Sequence, residues 1–510
     1  MTYDRILMNL RFPAAAMLMA LLTPVYGQSL AGIHNIVVIF AENRSFDGLY
    51  GSFPGASGLE QAGGALQLDR DGTALKELPP VWNGLTAAGV VPPVTQAQTA
   101  HLPNVPFGID DPKGLHQSLS VVTRDPVHRF YQNQMQIDGG KNDHFAAWGD
   151  SGGLVMGHYD GSKMRMWSVA KHFVLADNFF MGVFGGSFMN HIWLSCACVL
   201  KYPQADQSPA KGQIAAVEAD GVTLKTVATS PKSALDGPPR FVKDGNLTPD
   251  FYAVNTMQPP YQPSANKPAA GGDPALADPA SPTTLPPQTD QTIGDLLSAK
   301  GVSWAWYSGA WEAVLSGHNA RPVPNFQFHH QPFNYFASMA PGTEERAKHL
   351  KDGGLAGANF AEAIKAGKLE QVTFYKPQGN LNEHSGYADV ESGDAHIAEL
   401  IELLEKSPQW EHMVVIVTYD ENGGYWDHVA PPKGDRWGPG SRIPAVIVSP
   451  FAKKGVVDHT LYDTTSILRL ITRRFGLPVL PGIRARDEAV KAHGGAPLGD
   501  LTNALTLPSR

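Results

Sequence analysis

The sequence predicts an α/β protein with a large, mainly parallel central sheet flanked by helices and interrupted by a Pro-rich insertion. Three observations carry that expectation. Short apolar runs rich in β-branched residues recur along the chain, as buried central strands do. Helical patterns precede several of them, and helix-then-strand alternation marks a parallel sheet covered on both faces. Hydrophobic residues make up 43% of the 510 and charged residues 17%, which supplies a large core and excludes a disordered chain.

In chain order, residues 1–27 read as a secretory signal peptide. Arg5 and Arg11 are its basic part, Pro13 to Leu22 its apolar part, and Val25-Tyr26-Gly27 its cleavage site, with Ser29-Leu30-Ala31 as the alternative. The apolar run is shorter than the roughly 20 residues that span a bilayer. The expectation is an exported protein, periplasmic or extracellular, without a stable membrane span. Residues 28–510 read as one catalytic domain.

Five runs read as strands: 34–41 (His-Asn-Ile-Val-Val-Ile-Phe-Ala), 302–307, 372–375 more weakly, 413–419 and 443–449. Thr292 to Lys300 and Ser392 to Glu405 read as helices, the second placing Ile397, Leu400, Ile401, Leu403 and Leu404 at helical intervals. Residues 203–290, rich in Pro, Ala, Gly, Asp and Ser, read as a long excursion, either a lid beside the site or a plain surface loop. Cys196 and Cys198 are the only cysteines. A Cys-x-Cys pair closes a strained ring, so they read as small buried residues in a helix. A net charge of −8 with no basic stripe excludes a nucleic-acid binder.

In open α/β sheets, ligands bind beyond the carboxyl ends of the strands. There the first strand delivers Glu42-Asn43-Arg44-Ser45-Phe46-Asp47 and the 413–419 strand delivers Asp420-Glu421-Asn422-Gly423-Gly424. Acid plus amide, twice over, suits a hard or borderline divalent metal; acids in these places also serve as caps and turn residues. Gly185-Gly186 precede Ser187 at the start of an apolar helix. Ser187 is either an N-cap or a nucleophile at an anion-favouring helix end. The Gly-x-Ser-x-Gly elbow of acyl hydrolases is absent. Histidines stand in polar settings at 128, 329–330, 384 and 428. With an ordinary pKa near 6.5, several together would bind a phosphate and protonate a leaving oxygen.

Taken in order, these motifs resemble those of the secreted acid phosphatase A/phospholipase C family of phosphoesterases. The resemblance rests on Glu-Asn-Arg-Ser-Phe-Asp at 42–47, Asp-Pro-x-His at 125–128, Gly-Gly-Lys-Asn-Asp at 139–143, Gly-Gly-Ser at 185–187, Asn-Glu-His at 382–384, and Tyr-Asp-Glu-Asn-Gly-Gly with Asp-His at 419–428. It implies a core like that of the alkaline phosphatase superfamily. It implies one divalent cation (Ca, Mg, Mn or Zn) held by Glu42, Asn43, Asp420 and Glu421, with Ser187 both ligand and nucleophile. His128, His330 and His384 would take part in catalysis. His329, Lys141, Asp143, Asn190 and His191 would bind substrate. Ser187-Phe188-Met189-Asn190-His191 stands where the phospholipase branch has Gly-x-Thr-x-Pro-Asn-Arg, which favours the acid phosphatase branch.

The leading expectation is an exported acid phosphatase acting on small phosphomonoesters through a phosphoserine. A second is a phospholipase C that removes phospholipid head groups, with Trp304, Trp306, Tyr307 and Trp311 either an aromatic wall for a quaternary ammonium or core. A third is an exported binding protein with a structural metal site.

Overall fold

The computed structural model describes residues 29–317 and 323–507; the expected signal peptide, 1–27, lies outside the described residues. Eight strands form the main sheet: β1 (Asn35–Ala41), β2 (Val174–Ala176), β3 (Trp304–Gly309), β4 (Leu350–Gly354), β5 (Val372–Lys376), β6 (Met413–Tyr419), β7 (Ala445–Val448) and β8 (Val456–Asp458). Their spatial order is β8-β2-β7-β6-β1-β5-β3-β4. All neighbours run parallel except β7, which is antiparallel to both β6 and β2. The expected mainly parallel sheet is present, and all five expected strands belong to it.

β1 and β6 are buried along their whole length. Both faces are covered, so the strands carry unbroken Val/Ile runs instead of alternation. Three strands escape sequence reading. β2 and β8 have three residues each, and β4 reads Leu-Lys-Asp-Gly-Gly, with no apolar run to find. The direction of β7 is equally invisible, because an apolar run reads the same either way.

The helices that matter for the site are α1 (Phe130–Ile137), α2 (Ser187–Cys196), α3 (Ile293–Ala299), α4 (Val390–Glu405) and α5 (Thr464–Phe475). Thr292 caps α3 through the Asp295 N–H, and Asp295 bonds back to Thr292. This reciprocal pairing satisfies two otherwise orphaned donors. Asp389 caps α4, which therefore starts two residues before the expected Ser392.

Cys196 and Cys198 form a disulfide, which corrects the reading of both as unpaired helical residues. α2 ends at Cys196, and Ala197 takes a left-handed conformation (φ 47°, ψ 41°). That turn brings the two Cα atoms to 5.1 Å, inside the bridging range. Trp304 and Trp306 are core, not an aromatic wall. Trp306 stacks on Phe374 at 5.1 Å and Trp304 on His349 at 4.1 Å.

Residues 203–290 form neither an α-helix nor a strand of the main sheet, only short 3-10 turns and isolated bridges. The segment is nonetheless anchored, with Leu224, Leu247, Met257 and Leu285 packed into the main core.

Arg442 ties the loops at one end of the sheet together. It is fully buried. Its guanidinium donates to Asp427 Oδ1 at 2.9 Å, Asp47 Oδ1 at 3.0 Å, and the Ser57 and Asp177 carbonyls at 2.7 and 2.8 Å. His428 donates its backbone N–H to Asp47 Oδ2 at 2.7 Å. Asp47 and the Asp427-His428 pair therefore hold the fold. Arg442→Met leaves two buried carboxylates without their cation, and such a loss costs about 3–5 kcal/mol. Urea denaturation of the variant is expected to show it; a loss below about 1 kcal/mol would mean that the network is not structural.

Candidate active site

The ends of β1 and β6 lie side by side, with Ala41 opposite Tyr419. The next residues, Glu42-Asn43 and Asp420-Glu421, therefore emerge together. Asn43 turns with φ 63°, a conformation asparagine tolerates better than most residues. Its N–H donates to Asp420 Oδ1 at 3.2 Å, and the Glu421 N–H donates to the same oxygen at 2.8 Å. Gly423 is required beneath them: its φ is 63°, and a Cβ there would lie 2.5 Å from the Asn43 carbonyl.

Ser187 comes in from the side. Gly185 has φ 90°, and a Cβ on it would lie 2.5 Å from the Phe130 nitrogen; one on Gly186 would lie 2.8 Å from the His128 carbonyl. Bare backbone thus lets the 128–130 segment pack against the turn and sets His128 beside Ser187. Gly186 is the N-cap of α2, and Ser187 is its first helical residue. The serine hydroxyl is not spent on capping. It donates toward Asn43 Oδ1 at 3.2 Å and Glu421 Oε1 at 3.3 Å.

A cleft of about 520 Å³ opens above Ser187, lined among others by His128, His329, His384, Tyr387 and Asn255. Val254, Asn255 and Thr256 belong to the 203–290 insertion, so that segment is a wall of the site. Arg129 fixes it there, with an ion pair to Asp244 at 2.7 Å and bonds to the 244–246 stretch. The Phe130 N–H donates to Asn255 Oδ1 at 3.1 Å.

Several expected site residues lie elsewhere. His330 is behind the cleft, against Glu42, too deep to meet a leaving group. His191 is fully buried, its Nδ1 bonded to the Ser187 carbonyl at 2.8 Å. Asn190 holds the turn before α2 through Val183 and Gly185. Lys141 is largely exposed and paired with Asp138 at 2.6 Å; Asp143 meets His144. None of these five lines the cleft. The 139–143 motif owes its place to Asn142, which donates to the Asp427 and Val429 carbonyls.

Sequence reading missed two participants, Lys376 and Tyr387, and gave no role to a third, Asn382 of the Asn-Glu-His motif. Lys376 is fully buried with its ammonium 2.8 Å from Glu42 Oε1. Asn382 and Tyr387 donate to Glu42 Oε2, each at 2.8 Å. The one available signal was a lysine closing the otherwise apolar-aromatic run Val372–Lys376.

Burial sets the charges. It pushes Asp420 up to about 6 and raises Glu421 well above the ordinary carboxyl value. It also works to raise Glu42, but His330 and Lys376 overcome it and hold that carboxyl well below its usual range. Burial depresses His191 and His329 strongly, His330 to about 4, and His384 less. In His128 the same effect is outweighed by Glu421 and Asp125, and its pKa rises to about 9. The expected ring of histidine cations is thus uneven: carboxylate neighbours favour the charge on His128, and burial disfavours it on the others.

The donor set fits a divalent cation. Asn43 Oδ1, Ser187 Oγ and Glu421 Oε1 converge, and Asp420 Oδ2 is buried without a hydrogen-bond partner. Two adjacent buried carboxylates with an orphaned oxygen call for a positive charge. All ligands are oxygen, as hard cations prefer. Glu42 borders the set, but its oxygens are shared with Lys376, His330, Asn382 and Tyr387.

Residues 33–478 match the family described as the Phosphoesterase family. The chain belongs to the phosphoesterase family. Among its relatives, this phosphoesterase is 24% identical over 538 residues to Phospholipase C A of Mycobacterium tuberculosis, covering 97% of this chain and 83% of that one. It is 29% identical over 248 residues to the non-hemolytic phospholipase C of Pseudomonas aeruginosa, covering 42% and 33%. Among solved structures it is similar to the lipoteichoic acid synthase LtaP of Listeria monocytogenes, at 9% identity, 89% and 75% coverage and a TM-score of 0.33. It is also similar to an alkaline phosphatase superfamily protein of Vibrio parahaemolyticus, at 10% identity, 72% coverage of each chain and a TM-score of 0.31. The α/β class itself follows from the sheet. The family and its relatives make the chain a phosphoric ester hydrolase.

The raised carboxyls make a prediction. A group whose folded pKa is raised gives stability at low pH and loses it as pH climbs through the folded value. For Asp420 that window runs from the ordinary 3.8 to about 6. Metal-free protein is expected to lose thermal stability across it, and a divalent cation to restore it. The melting-temperature gap between metal-loaded and metal-free protein should therefore widen from about pH 4 to 6. A gap independent of pH would remove Asp420 and Glu421 from the metal site.

Proposed function

We propose that this phosphoesterase hydrolyses monoanionic phosphate esters through a phosphoserine at Ser187, with phospholipase C-type diesters as its principal substrates and monoesters as substrates at acid pH. The observation that carries this is the charge of the site. Glu42, Asp420, Glu421 and the cleft-lining Asp125 would together nearly balance a divalent cation, Lys376 and His128, so the site favours an anion of low charge. A diester carries one negative charge at any ordinary pH. A monoester carries one only below its second ionisation, near about pH 6. The relatives named phospholipase C favour the diester. Ser187-Phe188-Met189-Asn190-His191, in place of the phospholipase pattern, favours activity on monoesters as well.

A divalent cation bound by Asn43, Ser187, Asp420 and Glu421, with Glu42 beside them, would make the serine more acidic and steady the phosphate oxygens. The chain supplies the rest. Ser187 Oγ sits at the start of α2, where backbone N–H groups and the helix dipole favour the phosphate. Its proton faces Glu421 Oε1. Ser187 Oγ passes its proton to Glu421 Oε1 and bonds to phosphorus as the ester P–O bond breaks, and His128, which holds a proton, gives it to the leaving oxygen; the proton on Glu421 then recharges His128, 3.6 Å away. His384, whose ring centroid is 5.5 Å from that of His128, lines the same cleft. Water then splits the phosphoserine, returning the hydroxyl to Ser187. Positioning and electrostatics dominate phosphoryl transfer, which suits a site of this kind.

We also propose that residues 28–510 form one catalytic unit that works after export. Motif residues from Glu42 to Glu421 meet at one cleft. The leader-like composition of 1–27 and a bridge between Cys196 and Cys198, a bond that persists in oxidising compartments, support export.

Two measurements test the reaction. Ser187→Ala should lower kcat on an aryl phosphate and on its choline diester by at least about a thousandfold; retained turnover removes the serine as nucleophile. The ratio of kcat/KM for the monoester to that for the diester should fall about tenfold per pH unit above about pH 6, following the substrate's own ionisation. A flat ratio from about pH 5 to 8 would contradict the monoanion reading.

A further inference from the structure

Lys376 closes β5, the neighbour of β1, beneath the floor of the cleft. It is fully buried. Its ammonium meets Glu42 Oε1 at 2.8 Å and the Ala41 carbonyl at 3.5 Å, and lies 5.5 Å from the Phe40 ring. A buried ion pair is weak evidence for stability, because apolar side chains of similar volume often serve as well or better. This one adjoins Asn43 and Asp420, where charge decides what binds. In a low-dielectric interior a charge is felt across several ångströms.

We propose that Lys376 is a positioning residue whose fixed positive charge reaches the centre both directly and by offsetting Glu42, so that the carboxylate floor holds a divalent cation less tightly and a phosphate anion more tightly. The proposal rests on the reading of Asn43, Ser187, Asp420 and Glu421 as a metal centre. Removing the lysine restores the full negative charge of Glu42 to the floor. Cation and anion affinity should then move in opposite directions. A purely structural role predicts that both fall together.

The experiment measures Mn²⁺ binding by equilibrium dialysis and competitive inhibition by inorganic phosphate, on the full chain at one pH. Lys376→Met is expected to bind Mn²⁺ roughly tenfold more tightly and phosphate roughly tenfold more weakly. Glu42→Gln should shift both in the opposite sense, and the double variant Glu42→Gln/Lys376→Met should reverse the shifts of Glu42→Gln. The double variant carries the test even if Lys376→Met alone does not fold. Affinities that fall together in Lys376→Met, or a double variant no different from Glu42→Gln, overturn the proposal alone. A wild-type protein that takes up none of Mn²⁺, Ca²⁺, Mg²⁺ or Zn²⁺ overturns the metal centre and the proposal with it.

Discussion

Strands β1 and β6 run parallel with seven consecutive pairs in register, from Asn35 opposite Met413 to Ala41 opposite Tyr419. The floor of the site depends on that alignment. A strand that slips by one residue turns each side chain to the other face. A slip here would separate Asn43 from Asp420, whose 3.2 Å bond joins the two strand ends. The register is well protected, because both strands are buried along their whole length and a misaligned pairing would leave the following loops unmatched. Arg442 locks those loops from below by joining Asp47 of one to Asp427 of the other.

The floor is expensive in charge. Glu42, Asp420 and Glu421 are all fully buried, and each ionised carboxylate without a partner would cost several kcal/mol. Two devices offset part of this. Backbone N–H groups from Asn43, Glu421 and Gly423 turn toward Asp420 and Glu421. Lys376 neutralises Glu42, and His330 lies against it. The remaining deficit falls at the orphaned Asp420 oxygen beside Ser187, where a cation would serve chemistry as well as stability. His128 stands on the other side, and among the described histidines that line the cleft it is the one whose acidic neighbours overcome its burial.

The central strands, α3, α4, the strand-end acids and Ser187 were all legible in the sequence, because each has a local signature: an unbroken apolar run, a helical interval, a capping residue, a glycine pair. What the sequence left open was three-dimensional. His329 and His330 are adjacent in the chain, yet one faces the cleft and the other faces Glu42. Lys141 sits in a motif kept in place by its neighbour Asn142. The Cys196–Cys198 bridge depends on one left-handed residue, Ala197, which no propensity for alanine would announce. Lys376 was hidden because a single charge at a strand end is ordinary until the strand is known to lie next to β1.

The 203–290 wall leaves the scaffold after α2 and returns before α3. Neither its start nor its end interrupts a strand of the main sheet, and it touches the cleft only through a few residues near Asn255. Between its core anchors Leu224, Leu247, Met257 and Leu285, its exposed stretches can change in length and composition without disturbing the nucleophile or the floor. A lineage could widen, narrow or recolour the mouth of the cleft by editing this one excursion, so that substrate range and reaction chemistry are inherited as separable traits.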